Sequence, residues 1–448
     1  MMRFVETLKN IWTIQELRQR LLVTVLLVFI YRLGCYVVLP GISPDAIDAL
    51  QNFTNRSGLM QLLDMFSGSA FSQASIFALG IMPYITASIV IQLCGMILPS
   101  FQKLQREGES GRQKLNQYTR YLTVAILVLQ APAYLINLQV QASSANSAIH
   151  MGFWTVAYLT IILAAGSMFI MWLGERITDR GIGNGISFII LVGIIARLPE
   201  ALYFEFTTRL PSDGASQGGL VMFIVEVVLL FAVTVGAVLL VQGTRKVPVQ
   251  YAKRIVGNRQ YGGARQYIPL KVNAAGVMPI IFAQAIMFIP MTLAGFQGGD
   301  SAFMRAFTDI NSFWYNVTFF ILIVAFTYFY TAITVRPTQM AEDMKRNNGF
   351  IPGVKPGKKT AEYLDAIMSR ITLPGSIFLG IVAVLPALAR FLGINQNFAQ
   401  FFGGTSLLIM VGVVLDTLQQ VESHLMMHHY DGLMKEGKIK GRTTGQAY

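Results

Sequence analysis

Leu220-Val-Met-Phe-Ile-Val-Glu-Val-Val-Leu-Leu-Phe-Ala-Val-Thr-Val-Gly-Ala-Val-Leu-Leu-Val241 is a run of 22 residues with a single charge, Glu226. It is followed at once by Gln242 to Lys271, which carries seven cations and no acid. A bilayer core requires about 20 apolar residues in a helix. The chain therefore reads as an integral membrane protein, and the basic stretch marks the side on which this span ends.

Working outward, nine more apolar runs of similar length appear. They lie near Leu21 to Leu39, Ser75 to Leu98, Tyr121 to Val140, Phe153 to Leu173, Ile186 to Tyr203, Val272 to Ala294, Phe313 to Val335, Pro374 to Leu392 and Gly403 to Val421. With ten spans in place, 29 of the 35 Lys and Arg residues fall on one side. The other side holds Arg56, Arg209 and Arg305, while Arg32, Arg197 and Arg390 sit in or at the ends of spans. The positive-inside rule then predicts that both termini are cytoplasmic. Composition agrees: hydrophobic residues make up 54% and charged residues 13%, against about 25% charged in soluble domains. The net charge of +12 is concentrated in short segments beside spans, where topology accounts for most of it without nucleic acid. The first apolar run is span-length with no small-residue cleavage pattern, so it is expected to remain as the first helix. Cys35 and Cys94 lie within apolar runs and read as inert thiols rather than a disulfide.

Two features break the pattern. Leu59 to Ser75 holds Met60, Leu62, Leu63, Met65 and Phe66, but Gly68, Ser69 and Ser72 end the apolar run after about ten residues. Such a stub is either a re-entrant helix buried in protein or an amphipathic helix on the outer surface. The second feature is a pair of long basic loops, Gln242 to Lys271 and Arg336 to Arg370, with seven cations each. Orientation needs fewer, so Arg245, Lys246, Lys253, Arg254 and Lys355 are candidate contacts for an acidic or RNA-bearing partner, with anionic lipid as the alternative.

Motifs for covalent chemistry are weak. Gly353, Gly357, Lys358, Lys359 and Thr360 depart from phosphate-loop spacing. Gly181, Gly183 and Gly185 follow no strand and read as the tight entry to the fifth span. His424, His428 and His429 have no Cys or carboxylate set to complete a metal site. No cofactor, metal or catalytic residue is expected. Arg32, Glu226 and Asp416 are ionisable residues in spans, which can mark ion paths; they form no relay along one helix and read instead as partners for other helices or subunits.

Ser75-Ile-Phe-Ala-Leu-Gly-Ile-Met-Pro-Tyr-Ile-Thr-Ala-Ser-Ile-Val-Ile-Gln-Leu93 resembles the second helix of the SecY family, the large subunit of the bacterial protein-conducting channel. Glu107-Gly-Glu-Ser-Gly-Arg112, Gln117-Tyr-Thr-Arg-Tyr121, Met171-Trp-Leu-Gly-Glu175, Arg180-Gly-Ile-Gly-Asn-Gly-Ile-Ser187, Lys271-Val-Asn273 and Phe402-Gly-Gly-Thr-Ser-Leu-Leu-Ile409 resemble further family motifs in the family's order. The resemblance implies an all-α polytopic fold of ten transmembrane helices in two pseudo-symmetric five-helix halves. These would be residues 1–212 and 213–430, the latter with basic cytoplasmic loops 242–271 and 336–373, followed by a tail 431–448.

The same resemblance implies functional residues. Leu62, Leu63, Met65, Phe66, Gly68 and Phe71 would belong to a plug helix, about residues 59–72, that fills the closed channel. Ile81, Ile85, Ile186, Ile190, Ile281 and Ile409 would form a constriction ring, in which 81/85 and 186/190 are i, i+4 pairs on one helical face. Thr86, Ser88, Gln92 and Asn273 would line a lateral gate into lipid. Lys355 stands where the family commonly carries Arg, keeping the charge without the planar fork. The implied function is translocation of unfolded polypeptides across the bacterial cytoplasmic membrane, and lateral release of transmembrane segments. The implied partners are SecE, SecG, the SecA ATPase, the ribosome, signal sequences and lipid. A secondary transporter for a small solute is the rival reading, and it would need a compact polar midplane site.

Overall fold

The fold was obtained as a computed structural model, which describes residues 14–56, 58–144, 152–209, 219–251, 254–256, 259–261, 265–284, 286–287 and 312–435. Seven described helices are long and apolar enough to cross a membrane, or eight if one bent pair is a single span. The chain divides into two compact units, residues 1–197 with 413–448, and residues 198–412.

The first unit opens with α1 (Gln15–Cys35), α2 (Pro44–Arg56) and the short α3 (Gly58–Ser67). A series of turns then leads to α4 (Met82–Ile97). The second expected span begins about seven residues later than Ser75, for a local reason. Gly80 sits at φ +56°, a left-handed conformation that glycine tolerates, and Pro83 lies in the first turn of α4, where its missing N–H costs nothing. At the far end Leu98 precedes Pro99 and is held extended, at φ −93° and ψ 122°. There the chain bends by 102° into α5 (Pro99–Arg106).

Next come α6 (Glu109–Ser144), α7 (Phe153–Arg180) and α8 (Gly185–Arg209), of which the second unit takes the part after Arg197. At about 1.5 Å per residue α6 is long enough to cross the hydrocarbon and project beyond it. Its projecting part is fastened to α7 by Arg120, whose Nη2 lies 2.7 Å from both carboxylate oxygens of Glu175. The core gathers Leu39, Leu50, Phe71, Ala74, Ala78, Tyr134, Leu135, Leu159 and Leu163. Small residues in the turns before α4 thus let that segment settle against α6 and α7. The glycine entry to α8 behaves as the sequence suggested. Gly183 adopts φ +82°, and a Cβ on Gly185 would overlap the Gly174 carbonyl. The turn's amides donate to Thr24, Gln420 and Thr178 side chains.

The second unit contains α9 (Gly219–Gln242), strands β1 (Thr244–Tyr251), β2 (Arg254–Val256), β3 (Arg259–Tyr261) and β4 (Arg265–Lys271), and a helical segment at 278–284. It continues with α10 (Phe313–Thr334), α11 (Pro337–Arg346), β5 (Gly349–Phe350), α12 (Lys358–Phe391), α13 (Gln396–Ala399) and the start of α14 (Gly404–Lys435). Tyr315, Phe319, Ile323, Thr327 and Thr331 recur every four residues and form the buried stripe of α10. Gly380 of α12 lies so close to Phe320 that a Cβ would meet the ring at 2.6 Å. That glycine sets the α10–α12 approach.

An all-α chain was expected, and the strands correct it. β1 pairs antiparallel with β4 from Thr244↔Lys271 to Gln250↔Arg265, and with β5 through Gln250↔Phe350 and Tyr251↔Gly349. Val247, Val249, Leu270, Met344, Ile351, Leu364 and Met368 form a common core beneath the sheet. The two basic loops are therefore one folded layer: alternate residues of β1 and β4 carry apolar side chains to one face, and Met344, Ile351, Leu364 and Met368 of the second segment pack against it.

Candidate functional site

At about 1.5 Å per residue, the ten residues of α3 span only about half the hydrocarbon thickness. The helix is not on the surface: Gln61, Asp64, Met65 and Ser67 are each at most 2% exposed, and Ala70, Phe71 and Ser72 are buried after it. Of the two readings open from the sequence, this geometry selects the buried one. A buried helix end leaves carbonyls that need donors, and α1 and α6 supply them. The Tyr31 hydroxyl donates to the Ser67 carbonyl at 3.1 Å, Arg32 Nη1 to the Gly68 carbonyl at 2.9 Å, and the Tyr134 hydroxyl to the Phe71 carbonyl at 2.9 Å. The Arg32 cation also sits where the α3 dipole favours positive charge.

Asp64 closes the turn from the other side. Its Oδ1 accepts the Ser72 amide at 2.8 Å, and its Oδ2 lies 2.8 Å from Arg197 Nη1 on α8. Gly68 adopts φ +65°, and a Cβ there would come within 2.9 Å of the Gly193 Cα. The seat requires glycine at that point. Met65, Phe66, Gly68 and Phe71 thus lie in one buried turn region; the side chains of Leu62 and Leu63 fall outside the described residues.

Within the first unit, Ile81 caps α4 at 4% exposure and the Ile85 amide donates to the Ile81 carbonyl at 3.0 Å. Ile85 and Ile186 are half-buried, and Ile190 is buried. In the second unit Ile281 is half-buried on the 278–284 helix, and Ile409 is buried on α14. Of the gate candidates, Thr86 and Gln92 are exposed and Ser88 half-buried. The Thr86 hydroxyl returns to the Met82 carbonyl of its own helix at 3.0 Å. Asn273 is buried, with its Oδ1 lacking a hydrogen-bond partner among the described residues.

Arg245 and Lys246 are exposed on β1, and Lys355 is exposed in the segment between β5 and α12. Arg254 opens β2, its side chain outside the described residues, and Lys253 lies outside them altogether. The stretch that faintly resembles a phosphate loop is a helix entry. Gly357 adopts φ +99° before α12, and the Thr360 hydroxyl donates to the Lys355 carbonyl at 3.0 Å.

The ionisable residues in spans find their partners inside the chain. Glu226 on α9 accepts from Arg209 Nη2 at 2.6 Å; Arg209 also donates to Glu205 at 3.0 Å and to the Gly393 carbonyl at 2.8 Å. Arg32 is taken by Gly68, whereas Asp416 is exposed and accepts from Gln420 at 3.3 Å. Sequence reasoning flagged Arg32 and Glu226 but assigned no role to Asp64, Arg197 or Glu205. A cation inside a span was the available signal for Arg197.

A family model described as SecY matches residues 75–418. Curated relatives described as "Protein translocase subunit SecY" include one from Streptomyces scabiei, 41% identical over 94% of this chain and 97% of its own length. Another, from Chlamydia muridarum, is 40% identical over 97% of this chain and 99% of its own. Among solved structures, "The structure of a protein conducting channel" has a TM-score of 0.58 at 16% identity, covering 96% of this chain and 95% of that one. "Sec61 in the Canine ribosome-channel complex from the endoplasmic reticulum" scores 0.54 at 15% identity with the same coverage.

Proposed function

The chain belongs to the SecY family, and from that premise we propose that it is the pore subunit of a bacterial Sec translocon, passing unfolded polypeptides outward and releasing apolar segments into lipid. It is a protein translocase subunit of the membrane. The observation that carries the channel reading is the seated α3, a helix too short to span that is buried and hydrogen-bonded at its C-terminal end. A small-solute carrier would not need such a seal, and the relatives side with the conduit.

In this reading α3 is the plug, and Ile81, Ile85, Ile186, Ile190, Ile281 and Ile409 form the constriction. Thr86, Ser88, Gln92 and Asn273 bias lateral closure through hydrogen bonds of about 0.6 to 2 kcal/mol, weak enough for a signal sequence to displace. That the Asn273 Oδ1 has no hydrogen-bond partner among the described residues supports a group that changes partners. The chain comprises ten spans in two five-helix halves, 1–212 and 213–430, with both termini cytoplasmic in the bacterial inner membrane. Three of these spans are not among the seven long apolar helices: those at α1 and α4 rest on the family pattern, and that at 272–294 rests on it and lies partly outside the described residues. SecE and SecG complete the complex, and the driving force comes from SecA or a translating ribosome, since the chain performs no covalent chemistry.

The basic sheet layer is the docking platform. Its support is that β1 and β5 join the two basic segments while Arg245, Lys246 and Lys355 stay exposed. Reversing Arg245, Lys246, Arg254 and Lys355 to Glu is expected to weaken binding of SecA or ribosomes by about tenfold or more, and wild-type binding should weaken with added salt. Resting ion leak should stay at the wild-type level. Lys355→Arg should tighten binding where a bidentate acceptor faces it. Full translocation by the four-site Glu variant in a reconstituted system would refute the platform.

A further inference from the structure

Apolar contacts alone would hold α3 in its seat without fixing its orientation, because the hydrophobic effect is non-directional. The polar contacts do fix it. Arg32 grips the Gly68 carbonyl from α1, and Arg197 faces the Asp64 carboxylate from α8. The Asp64 side chain is completely buried and that of Arg197 is 15% exposed. Such a pair is costly to break from one side, because the remaining partner is left as an uncompensated charge.

We infer that the Asp64–Arg197 ion pair, seconded by Arg32 on the Gly68 carbonyl, is an electrostatic latch that positions the plug in its closed seat. The inference rests on reading α3 as the plug, and adds to it the residues that regulate the seal. Arg32 and Arg197 are positioning residues: they act on the passage only through α3. Opening separates Asp64 from Arg197, so the latch sets how readily the resting channel unseats.

The chain carries its own reporter. Cys35 is 2% exposed, and its Sγ lies 4.0 Å from the Ser67 carbonyl at the end of α3. An unseated plug uncovers it. In a Cys94→Ser background, membranes containing the full chain and its complex are treated with N-ethylmaleimide, and the rate of Cys35 modification is followed beside resting ion leak. Arg197→Gln and Asp64→Asn should each speed modification by about tenfold or more, because each strands one charge. The double variant should be slower than either single, since it strands none, and Arg197→Lys should stay near the parent.

This non-additivity separates a latch from simple loss of packing, which would make the double variant at least as fast as the worse single. Parental rates in both single variants, or a double variant faster than both, would overturn the latch. Should Arg197→Gln fail to accumulate, Asp64→Asn carries the test alone, since the amide oxygen can still accept from Ser72. Deleting Leu62 to Phe71 distinguishes the premise from the inference. If the deletion leaks while the single variants remain parental, the plug stands and the latch falls. If the deletion does not leak, the plug reading itself fails.

Discussion

Replacing Ile81, Ile85, Ile186, Ile190, Ile281 and Ile409 with Ser is expected to raise resting ion conductance in planar bilayers by at least about tenfold, a change that needs only about 1.4 kcal/mol off the barrier. An apolar constriction excludes ions by staying dry. Each isoleucine gives up about 1.5–3 kcal/mol of apolar burial when its side chain faces water, so six hydroxyls remove far more resistance to wetting than the effect requires. Isoleucine also suits passage, because it moves aside around a polypeptide without hydrogen-bonding to it. Ile81, Ile190 and Ile409 are buried, and the other three are half-buried, so none reads as a side chain turned fully toward lipid. Ser at the three buried positions removes packing as well, so monodispersity of the purified complex must be checked alongside. An unchanged leak in a correctly inserted six-site variant would remove the ring.

Much of this architecture was legible because membrane spans are written in composition. Leu220 to Val241 names its own helix, and α9 occupies Gly219–Gln242. The spans that were harder to recognise are those in which local chemistry interrupts the run. Gly80 and Pro83 delay α4 to Met82, leaving 16 helical residues. In α1 the apolar stretch is hemmed by Arg18, Arg20 and Arg32, and Arg32 is there to hold another segment's carbonyl.

The sheet was missed for a different reason. Charge dominates Gln242 to Lys271, yet Val247 and Val249 alternate with Lys246 and Pro248, a period-two signal buried on one face. Pro248 argues against a central strand, but β5 reaches only Gln250 and Tyr251, so β1 is an edge strand at Pro248 on that side. For the fastenings of α3 the sequence offers only Arg32 and Arg197 as cations within spans, without their partners. Asp64 and Arg197 are separated by more than a hundred residues, and Tyr31, Arg32 and Tyr134 donate to main-chain carbonyls, which carry no mark in the sequence.

Arg209→Met is expected to destabilise the second unit by about 3–5 kcal/mol, the usual cost of stranding buried charge, and to lower its melting temperature in detergent by about 10 °C. One guanidinium serves two buried carboxylates here: Glu205 on its own helix and Glu226 on α9, with side-chain exposures of 5%, 0% and 1%. It also holds the Gly393 carbonyl, while Glu205 Oε2 accepts the Asn395 amide at 3.3 Å. One side chain therefore ties the end of α8, the start of α9 and the turn after α12. Two acids around one base leave an excess of negative charge, so the outcome depends on which member is removed. Glu226→Gln keeps an oxygen facing Arg209 and leaves a balanced Arg209–Glu205 pair, and its melting temperature should stay within a few degrees of the parent. Arg209→Met leaves both acids without their cation and should be much the worse variant, with Arg209→Met/Glu226→Gln partly recovering. Equal losses in Arg209→Met and Glu226→Gln would show that the cluster acts through packing alone. A loss confined to Glu226→Gln would reverse the assignment and make Glu226, not Arg209, the member on which the knot depends.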